Sequence, residues 1–381
     1  MRIGIDGQPL SKLRTGVGHY TFELARALAL VSPADEFQLL SPEPYAHPVD
    51  PATEQASPKN LNFVQVEARG FRKHWWTLGL AAHLRRNPVA LFHGTNYDVP
   101  LRSGCPTVLT IHDLSSYLHA ETQTSRAARR ARYRLPIMSR RATIIVTPSH
   151  AVRNEVCEFL RVNPDKVVVV PDAPRSCFRR LMPEQTVETR RRLQIEDDFL
   201  LFVGTIEPRK NLNRLVQAFE LVLNTTNLRP QLVIAGTPGW LTEELFSYVA
   251  QSEAANRIRW TGYVTDEDLC ALYSSCRLFI YPSLYEGFGL PPLEAMACGA
   301  PVIASRISSI MEVVGDSARL VNPTSVDELA QSIISLCNDS NEVEKLSLAG
   351  LGKAGDFSWE RTARLTHNVY QTALSRHEKH R

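Results

Sequence analysis

A chain of 381 residues is longer than one hydrophobic core usually organises, so its length excludes a single small module and predicts two domains. Hydrophobic residues make up 44% of the chain and charged residues 22%, and these proportions exclude disorder along most of its length. The formal net charge is only +3, too small to indicate general binding to nucleic acid. We therefore expect a globular protein without a nucleic-acid partner.

The amino terminus and the cysteines indicate where the protein works. No run approaches the roughly 18 apolar residues that span a bilayer, and Met1–Asp6 has the pattern of a strand instead of a signal peptide. The seven cysteines include no Cys-x-x-Cys pair, which argues against a disulfide framework and a zinc knuckle. We expect a cytoplasmic protein with reduced, mostly buried thiols.

In the first half, short β-branched runs alternate with stretches of helical spacing, as is typical of βαβ units around a parallel sheet. The first strand covers residues 2–5, and the helix after it places Tyr20, Leu24, Ala27, Leu28 and Val31 on one face. Further predicted strands cover residues 37–40, 61–66, 91–93, 107–111, 142–147 and 167–170. Together these elements predict one doubly wound domain over residues 1–174.

A proline-containing segment, Val170–Arg175, ends this series and marks a linker. After it, predicted strands at 199–203, 231–235, 258–260, 278–281 and 301–304 alternate with predicted helices at 212–223, 242–251, 267–274 and 293–297. They predict a second domain over residues 175–357, followed by a final helix within 358–381 that could pack back on the first domain. The fold class is α/β, with two Rossmann-like domains facing each other across a cleft that binds a ligand.

Two glycines, Gly16 and Gly18, lie between the first strand and the first helix. Glycines in this position let backbone amides approach an anion at the positive end of a helix. The third glycine of a dinucleotide fingerprint is missing, because Thr21 and Phe22 follow. The pair indicates either a ligand contact or a turn needed only for close packing, and both interpretations stay open.

The loop Gly204–Asn211 follows the first strand of the second domain and leads into a helix. Arg209 and Lys210 lie at the start of that helix, where cations oppose the helix dipole unless an anion is bound. A guanidinium and an ammonium in this place can neutralise a diphosphate without a metal ion. We interpret the pair as an anion site; the alternative is a solvated basic helix start.

The segment Tyr281–Met296 carries the most specific pattern, Glu-Gly-Phe-Gly-Leu-Pro-Pro-Leu-Glu from Glu286 to Glu294. A strand ends before Glu286, and the two prolines start a helix that has Glu294 in its first turns. Carboxylates can bind vicinal sugar hydroxyls, and the free amides of Gly289 and Leu290 suit a phosphate oxygen. Glu294 alone would be an ordinary charge at a helix start, but together with Glu286 it predicts a sugar-phosphate site.

This segment resembles the signature of retaining glycosyltransferases of family 4, in which seven residues separate the two glutamates. The loop Gly204–Asn211 is similar to the phosphate loop of mannosyltransferases of that family. The order and spacing of motifs agree over nearly the whole chain. The resemblance implies the GT-B fold, a nucleotide-sugar donor and a glycan acceptor.

The resemblance also implies roles for single residues. Glu286 would face the donor sugar near its reacting centre, Glu294 would bind the ribose, and Arg209 with Lys210 would bind the diphosphate. His112 would contact sugar and phosphate from the first domain, although a lone histidine is more often structural. The residues that would line the donor are Gly16, Gly18, Gly204, Tyr263, Val264, Phe288, Gly289 and Leu290, with Asp266 or Asp268 as readers of guanine. Because Asp266-Glu267-Asp268 has the pattern of a helix cap, we expect no metal and no cofactor.

Two segments concern the acceptor. Arg126–Arg141 holds seven arginines and no acidic residue, interleaved with apolar side chains, and a helix there could lie on an anionic membrane. Trp75 and Trp76 could stack on sugars or sit at a bilayer interface. The alternative is a solvated arginine face and two core tryptophans.

The resemblance implies transfer of mannose from GDP-mannose, with retention, onto a glycan carried by a polyprenyl diphosphate lipid in surface polysaccharide or lipopolysaccharide synthesis. Such an enzyme would be peripheral on the inner face of the cell membrane. A transferase of the same fold that uses a UDP- or dTDP-sugar remains an alternative, as does a nucleotide-sugar epimerase. An epimerase or oxidoreductase predicts the complete glycine fingerprint, which is missing here. A nucleic-acid binder would leave the two glutamates unexplained.

Overall fold

The computed structural model describes residues 1–12, 16–45, 58–67, 74–196 and 198–379. The chain divides into two compact units. Unit 1 comprises Met1–Leu118, Arg126–Ala173 and Ser358–Arg381, and unit 2 comprises His119–Ser125 and Pro174–Phe357. The boundary between the units falls one residue before the predicted one, and the short segment His119–Ser125 belongs to unit 2 although it lies in the first half of the sequence.

Unit 1 contains a parallel sheet whose strand order is β3-β2-β1-β4-β5-β6-β7. Its strands are β1 Arg2–Asp6, β2 Glu36–Ser41, β3 Leu61–Gln65, β4 Leu91–Gly94, β5 Thr107–Thr110, β6 Ile144–Thr147 and β7 Val167–Val169. The central strands β4, β5 and β6 are buried along their whole length, and their sequences are mostly apolar, with His93, Thr107, Thr110 and Thr147 as buried polar residues.

The helices of unit 1 before residue 173 are α1 Gly16–Val31, α2 Leu80–Arg86, α3 Ser115–Leu118, α4 Ser125–Arg141 and α5 His150–Phe159. The predicted loop position of Gly16 and Gly18 is wrong, because both residues lie in the first turn of α1. A Cβ atom added to Gly16 would meet no atom of the described residues within 4 Å, so packing against them does not explain this glycine.

Unit 2 contains a second parallel sheet, with the strand order β10-β9-β8-β11-β12-β13. Its strands are β8 Phe199–Val203, β9 Gln231–Ala235, β10 Ile258–Gly262, β11 Leu278–Tyr281, β12 Val302–Ser305 and β13 Arg319–Val321. The order reverses between β8 and β11, and ligands of open α/β sheets bind at such a switch point, beside the carboxyl ends of the strands.

The helices of unit 2 are α6 Val187–Leu193, α7 Leu212–Thr225, α8 Glu243–Gln251, α9 Asp266–Ser275, α10 Leu290–Ala297, α11 Ser308–Val314, α12 Val326–Cys337 and α13 Ser340–Gly355. The elements α6, β13 and α11–α13 are absent from the sequence-based prediction. The predicted helix start at Asp266-Glu267-Asp268 is confirmed, because these residues form the first turn of α9, but the cap is Thr265, whose side chain accepts a hydrogen bond from the amide of Asp268. Cys270, Cys276, Cys298 and Cys337 are buried free thiols, as expected.

The last helix, α14 Trp359–Lys379, follows unit 2 in the sequence and belongs to unit 1. Its buried face packs against α1 through Ala363, Val369, Tyr370 and Ala373. The hydroxyl of Thr362 donates a hydrogen bond to the carbonyl oxygen of Pro171 at 2.7 Å. None of the helices in the described residues is both long enough and apolar enough to cross a bilayer.

Candidate active site

The loop after β8 packs against the loop after β9, backbone on backbone. Gly204 has a φ of +151°, and a Cβ atom on Gly236 would lie 1.9 Å from the carbonyl oxygen of Gly204. The amide of Ile206 donates to Thr237 O at 3.0 Å, and the amide of Gly239 donates to Ile206 O at 2.9 Å. Glycines are required here because a side chain would separate the two loops.

A short 3-10 turn, Pro208–Lys210, joins this loop to α7. Asn211 follows in the left-handed region, with a φ of +62°. Its side-chain amide donates to the carbonyl oxygens of Pro282 and Pro323 at 2.9 and 2.7 Å. Asn211, which sequence analysis did not single out, thereby fixes the turn to the ends of β11 and β13.

The turn brings Arg209 and Lys210 to the carboxylate of Glu286. Arg209 Nη1 lies 2.7 Å from Glu286 Oε2, and Lys210 Nζ lies 2.6 Å from Glu286 Oε1. Arg209 Nη2 also pairs with Glu207 Oε1 at 2.6 Å. The hydroxyl of Tyr281 accepts a hydrogen bond from Lys210 Nζ at 2.7 Å and donates one to Glu286 Oε1 at 2.8 Å. Three residues predicted for the site therefore form one connected cluster at the switch point.

The cluster balances two cations with two carboxylates away from bulk water. Burial raises the pKa of Glu286, but Arg209 and Lys210 outweigh burial and lower this pKa to about 2. Burial and the neighbouring Arg209 charge lower the pKa of Lys210, against the opposing effect of Glu286. Glu286 therefore pairs with both of the cations that were predicted to face a diphosphate.

Helix α10 begins next to this cluster. Gly289 precedes it with a φ of +121°, and a Cβ atom there would lie 2.7 Å from Ile310 Cδ1. Pro291 and Pro292 have no amide hydrogen, so Gly289 and Leu290 carry the first backbone donors of this end. The hydroxyl of Ser309 donates to Glu286 O at 2.5 Å and ties α11 to the same loop.

Glu294 lies on α10 and pairs with a different cation, Arg175. Arg175 Nε is 3.2 Å from Glu294 Oε1, and its Nη1 is 2.5 Å from Asp266 Oδ2. Burial raises the pKa of Glu294, and the Arg175 charge only partly offsets this effect. Arg175 was missed as a site residue because its partner lies 119 positions away in the sequence.

The other residues of unit 2 that were predicted to contact the nucleotide sugar differ in their surroundings. Gly262, with a φ of +70°, ends β10 and is followed by Tyr263, which is 56% exposed, and Val264, which packs on the core. The ring of Phe288 lies in the core, 5.9 Å from that of Phe357. Asp268, proposed as a reader of guanine, is buried and pairs with Arg192.

His112 lies in unit 1, as do Gly16 and Gly18. Its Nε2 atom donates a hydrogen bond to the carbonyl oxygen of Thr95 at 2.8 Å, and this acceptor requires the proton to be on Nε2. Burial lowers the pKa of His112 against the opposing effects of the Thr95 bond and of Asp113. Nδ1 of the neutral ring is then available as an acceptor.

The two segments that were predicted to contact the acceptor differ in their exposure. Helix α4 forms over the arginine-rich segment, with Tyr133 72% exposed and Ile137 46% exposed. The interpretation of Trp75 as a sugar or membrane contact is wrong, because its side chain is buried in a core cluster with Leu80 and Phe92. Trp76 is half-buried beside the same cluster, whereas Phe71–Lys73 lie outside the described residues.

Two family models match the chain. The model described as Glycosyltransferase Family 4 matches residues 14–173, and the model described as Glycosyl transferases group 1 matches residues 186–351. The O-antigen chain mannosyltransferase B of Escherichia coli is 32% identical over 97% of this chain and 100% of its own length. The serotype-specific mannosyltransferase WbdA of Escherichia coli is 33% identical over 72% of this chain. The matched region covers 34% of the length of WbdA.

A solved structure has the same fold as this chain. Sucrose-phosphate synthase from Thermosynechococcus elongatus superposes with a TM-score of 0.77 at 20% sequence identity, covering 98% of this chain and 99% of its own. The two parallel sheets, the cluster at the switch point and these matches define a hexosyltransferase with the GT-B fold. The chain belongs to glycosyltransferase family 4.

Proposed function

We propose that the enzyme transfers mannose from GDP-mannose to a glycan acceptor with retention of the anomeric configuration. The observation that carries this proposal is the buried cluster of Arg209, Lys210 and Glu286 beside the amino end of α10. It combines cations and backbone donors for a diphosphate with a carboxylate for a sugar. The relatives named above support mannose as the sugar, and the family resemblance supports GDP as its carrier.

In this reaction the bond between the mannose anomeric carbon and the diphosphate oxygen breaks, and a bond to an acceptor hydroxyl forms. The acceptor proton passes to the departing phosphate oxygen. Arg209, Lys210 and the amides of Gly289 and Leu290 stabilise the charge that develops on the diphosphate. No metal ion is needed for this step, because these groups supply the positive charge.

The carboxylates have separate tasks. The two oxygens of Glu286 already accept from Lys210 and Arg209, so donor binding redistributes these bonds and turns the carboxylate to the sugar. Arg175 fixes Oε1 of Glu294, and the other oxygen can accept from a ribose hydroxyl. His112 would contact the donor sugar and phosphate from unit 1.

The acceptor we propose is a glycan linked to a polyprenyl diphosphate, in the synthesis of a surface polysaccharide, at the cytoplasmic face of the membrane. Exposed residues Arg126, Arg129, Tyr133, Ile137 and Arg140 recur at helical spacing along α4. Arginines that flank apolar side chains favour an anionic lipid surface. Arg134 pairs with the buried Asp98, and this contact holds the helix to its own unit.

A nucleotide panel tests the donor. We expect GDP and GDP-mannose, but not UDP-glucose or dTDP-glucose, to raise the melting temperature, since a ligand that binds only the folded state stabilises it. Proton NMR of the product from GDP-mannose and a lipid-linked glycan should show an α-mannosyl linkage. Stabilisation by UDP or dTDP alone, or a β-linked product, would refute this assignment.

A further inference from the structure

Four buried polar side chains in unit 1 form a continuous chain of hydrogen bonds. Tyr370 Oη on α14 lies 2.8 Å from His93 Nδ1, and His93 Nε2 lies 2.8 Å from Thr110 Oγ1. Thr110 Oγ1 lies 3.0 Å from Tyr20 Oη on α1. We call these residues the Tyr370–Tyr20 relay; each is at most 2% exposed.

The relay is electrically neutral, and its hydrogen bonds can run in either of two directions, according to which nitrogen of His93 carries the proton. Burial lowers the pKa of His93 to about 3, with a smaller contribution from His112, so the imidazole is neutral near pH 7. A neutral imidazole donates from one nitrogen and accepts at the other, as each hydroxyl also can. Every bond therefore depends on the next, and breaking one leaves a polar group buried without its partner.

The relay ends against His112. The ring of Tyr20 meets the His112 ring edge to face, with centroids 4.7 Å apart and an interplanar angle of 86°. The ring centroids of Tyr20 and Trp359, the first residue of α14, lie 6.0 Å apart. The ring centroids of Tyr97 and His112 lie 5.8 Å apart, and Nε2 of His112 is hydrogen-bonded to the carbonyl oxygen of Thr95. The plane of His112 therefore depends on where Tyr20 is fixed.

We propose that the Tyr370–Tyr20 relay sets the orientation of His112 for its contact with the donor. Tyr20, Thr110, His93 and Tyr370 are then positioning residues of the transfer reaction, and α14 contributes to it through Tyr370. This inference rests on the proposed function, because it assumes that His112 contacts the donor sugar and phosphate. A displaced His112 would weaken contacts made in the transition state while leaving the nucleotide pocket of unit 2 intact.

Isosteric substitutions test this proposal. Thr110→Val keeps the shape of the side chain and removes its bonds to both His93 and Tyr20. Thr366→Val is the matched control, because Thr366 is equally buried in unit 1, on α14 itself, and its hydroxyl bonds within that helix. We expect Thr110→Val to lower kcat about ten-fold, within the range for a misplaced catalytic contact, with unchanged affinity for GDP. Thr110→Ser, which retains the hydroxyl, should restore most of the rate.

An NMR measurement separates failure of this inference from failure of the proposed function. With labelled histidine, and His112→Asn for assignment, the His112 ring nitrogen shifts and pKa should change in Thr110→Val and in Tyr370→Phe but not in Thr366→Val. Unchanged His112 signals and kcat in both relay variants would overturn the relay proposal even if the wild type transfers mannose. A wild type that transfers no mannose would overturn the proposed function, and the His112 signals would still test the relay. If Thr110→Val does not fold, Tyr370→Phe gives the same test from the other end.

Discussion

The guanidinium of Arg209 and the carboxylate of Glu286 form an ion pair at 2.7 Å, although 77 positions separate them in the sequence. In the proposed donor complex, a diphosphate would share Arg209 with this carboxylate. The prediction for Glu286→Gln below depends on this competition between the two anions.

Replacement of Lys210 by alanine should lower kcat by about 10- to 1,000-fold, the range for one charge contact in a transition state. The fold should remain, because Arg209 still pairs with Glu286, although the stability that the Lys210–Glu286 pair contributes is lost. Lys345→Ala, at an exposed lysine on α13, is the control. Steady-state rates with saturating donor measure the effect, and an unchanged rate would assign Lys210 a purely structural role.

The two glutamates should show different defects. Glu294→Gln should weaken binding of free GDP, because the ribose loses an ionised acceptor. Glu286→Gln should leave GDP binding intact or tighter, since Arg209 and Lys210 are released, and should lower turnover. Calorimetric titration with GDP and rate measurements, with Glu360→Gln as an exposed control, distinguish the two. Wild-type binding and turnover in both variants would contradict the assignment of the site.

Acid should destabilise the protein partly through Glu286. Its pKa in the folded protein is about 2, below the ordinary 4.5, so its contribution to stability is present above pH 4.5 and is lost as the pH falls towards 2. The free energy of unfolding in urea should fall more steeply over this window for the wild type than for Glu286→Gln. Glu360→Gln should follow the wild-type curve, and identical slopes for all three proteins would show that Glu286 does not titrate this way.

Activity should survive EDTA. In the proposed reaction, Arg209, Lys210 and the amino end of α10 would supply the positive charge that a divalent cation could otherwise provide at the diphosphate. Turnover measured in chelator, with and without added Mg²⁺, checks this. Loss of turnover that Mg²⁺ restores would contradict a metal-free step.

Binding to anionic vesicles should depend on α4. Each arginine near such a surface contributes about 1 kcal/mol that salt screens. The variant with Arg126, Arg129, Arg132 and Arg140 changed to Gln should stay in the supernatant at low salt while remaining active on a soluble acceptor. A control with the same loss of charge changes four other exposed arginines of unit 1, Arg85, Arg86, Arg102 and Arg161. Equal pelleting of the two variants would remove α4 as a membrane contact.

Local patterns were sufficient for most elements. Strands β8, β9 and β11 have the predicted bounds, because each is an apolar run that ends at a glycine, a proline or a polar residue. The start of α1 at Gly16 was missed, since glycines there favour a loop prediction. Strand β13 was missed because three residues, Arg319–Val321, give no periodicity, and it forms only by pairing with β12.

In the site, the motifs indicated which residues matter but not which ones meet. The pairing of Arg209 and Lys210 with Glu286 follows from two loops that converge at neighbouring strand ends. No local sequence pattern marks Arg175 as a site residue, because its role depends on the ion pair with Glu294 on a helix that is distant in the sequence. The bond between His93 and Tyr370 joins residues 277 positions apart, and no sequence window contains both.

The return of α14 to unit 1 has a consequence for protein synthesis. The hydrophobic core built by the first 173 residues receives Ala363, Val369, Tyr370 and Ala373 from the last part of the chain. Translation proceeds from the amino terminus, so unit 2 is complete on the ribosome before unit 1 can close its core. The first half of the nascent chain must therefore wait with an apolar surface uncovered, and it is the part of this enzyme that most needs protection by a chaperone.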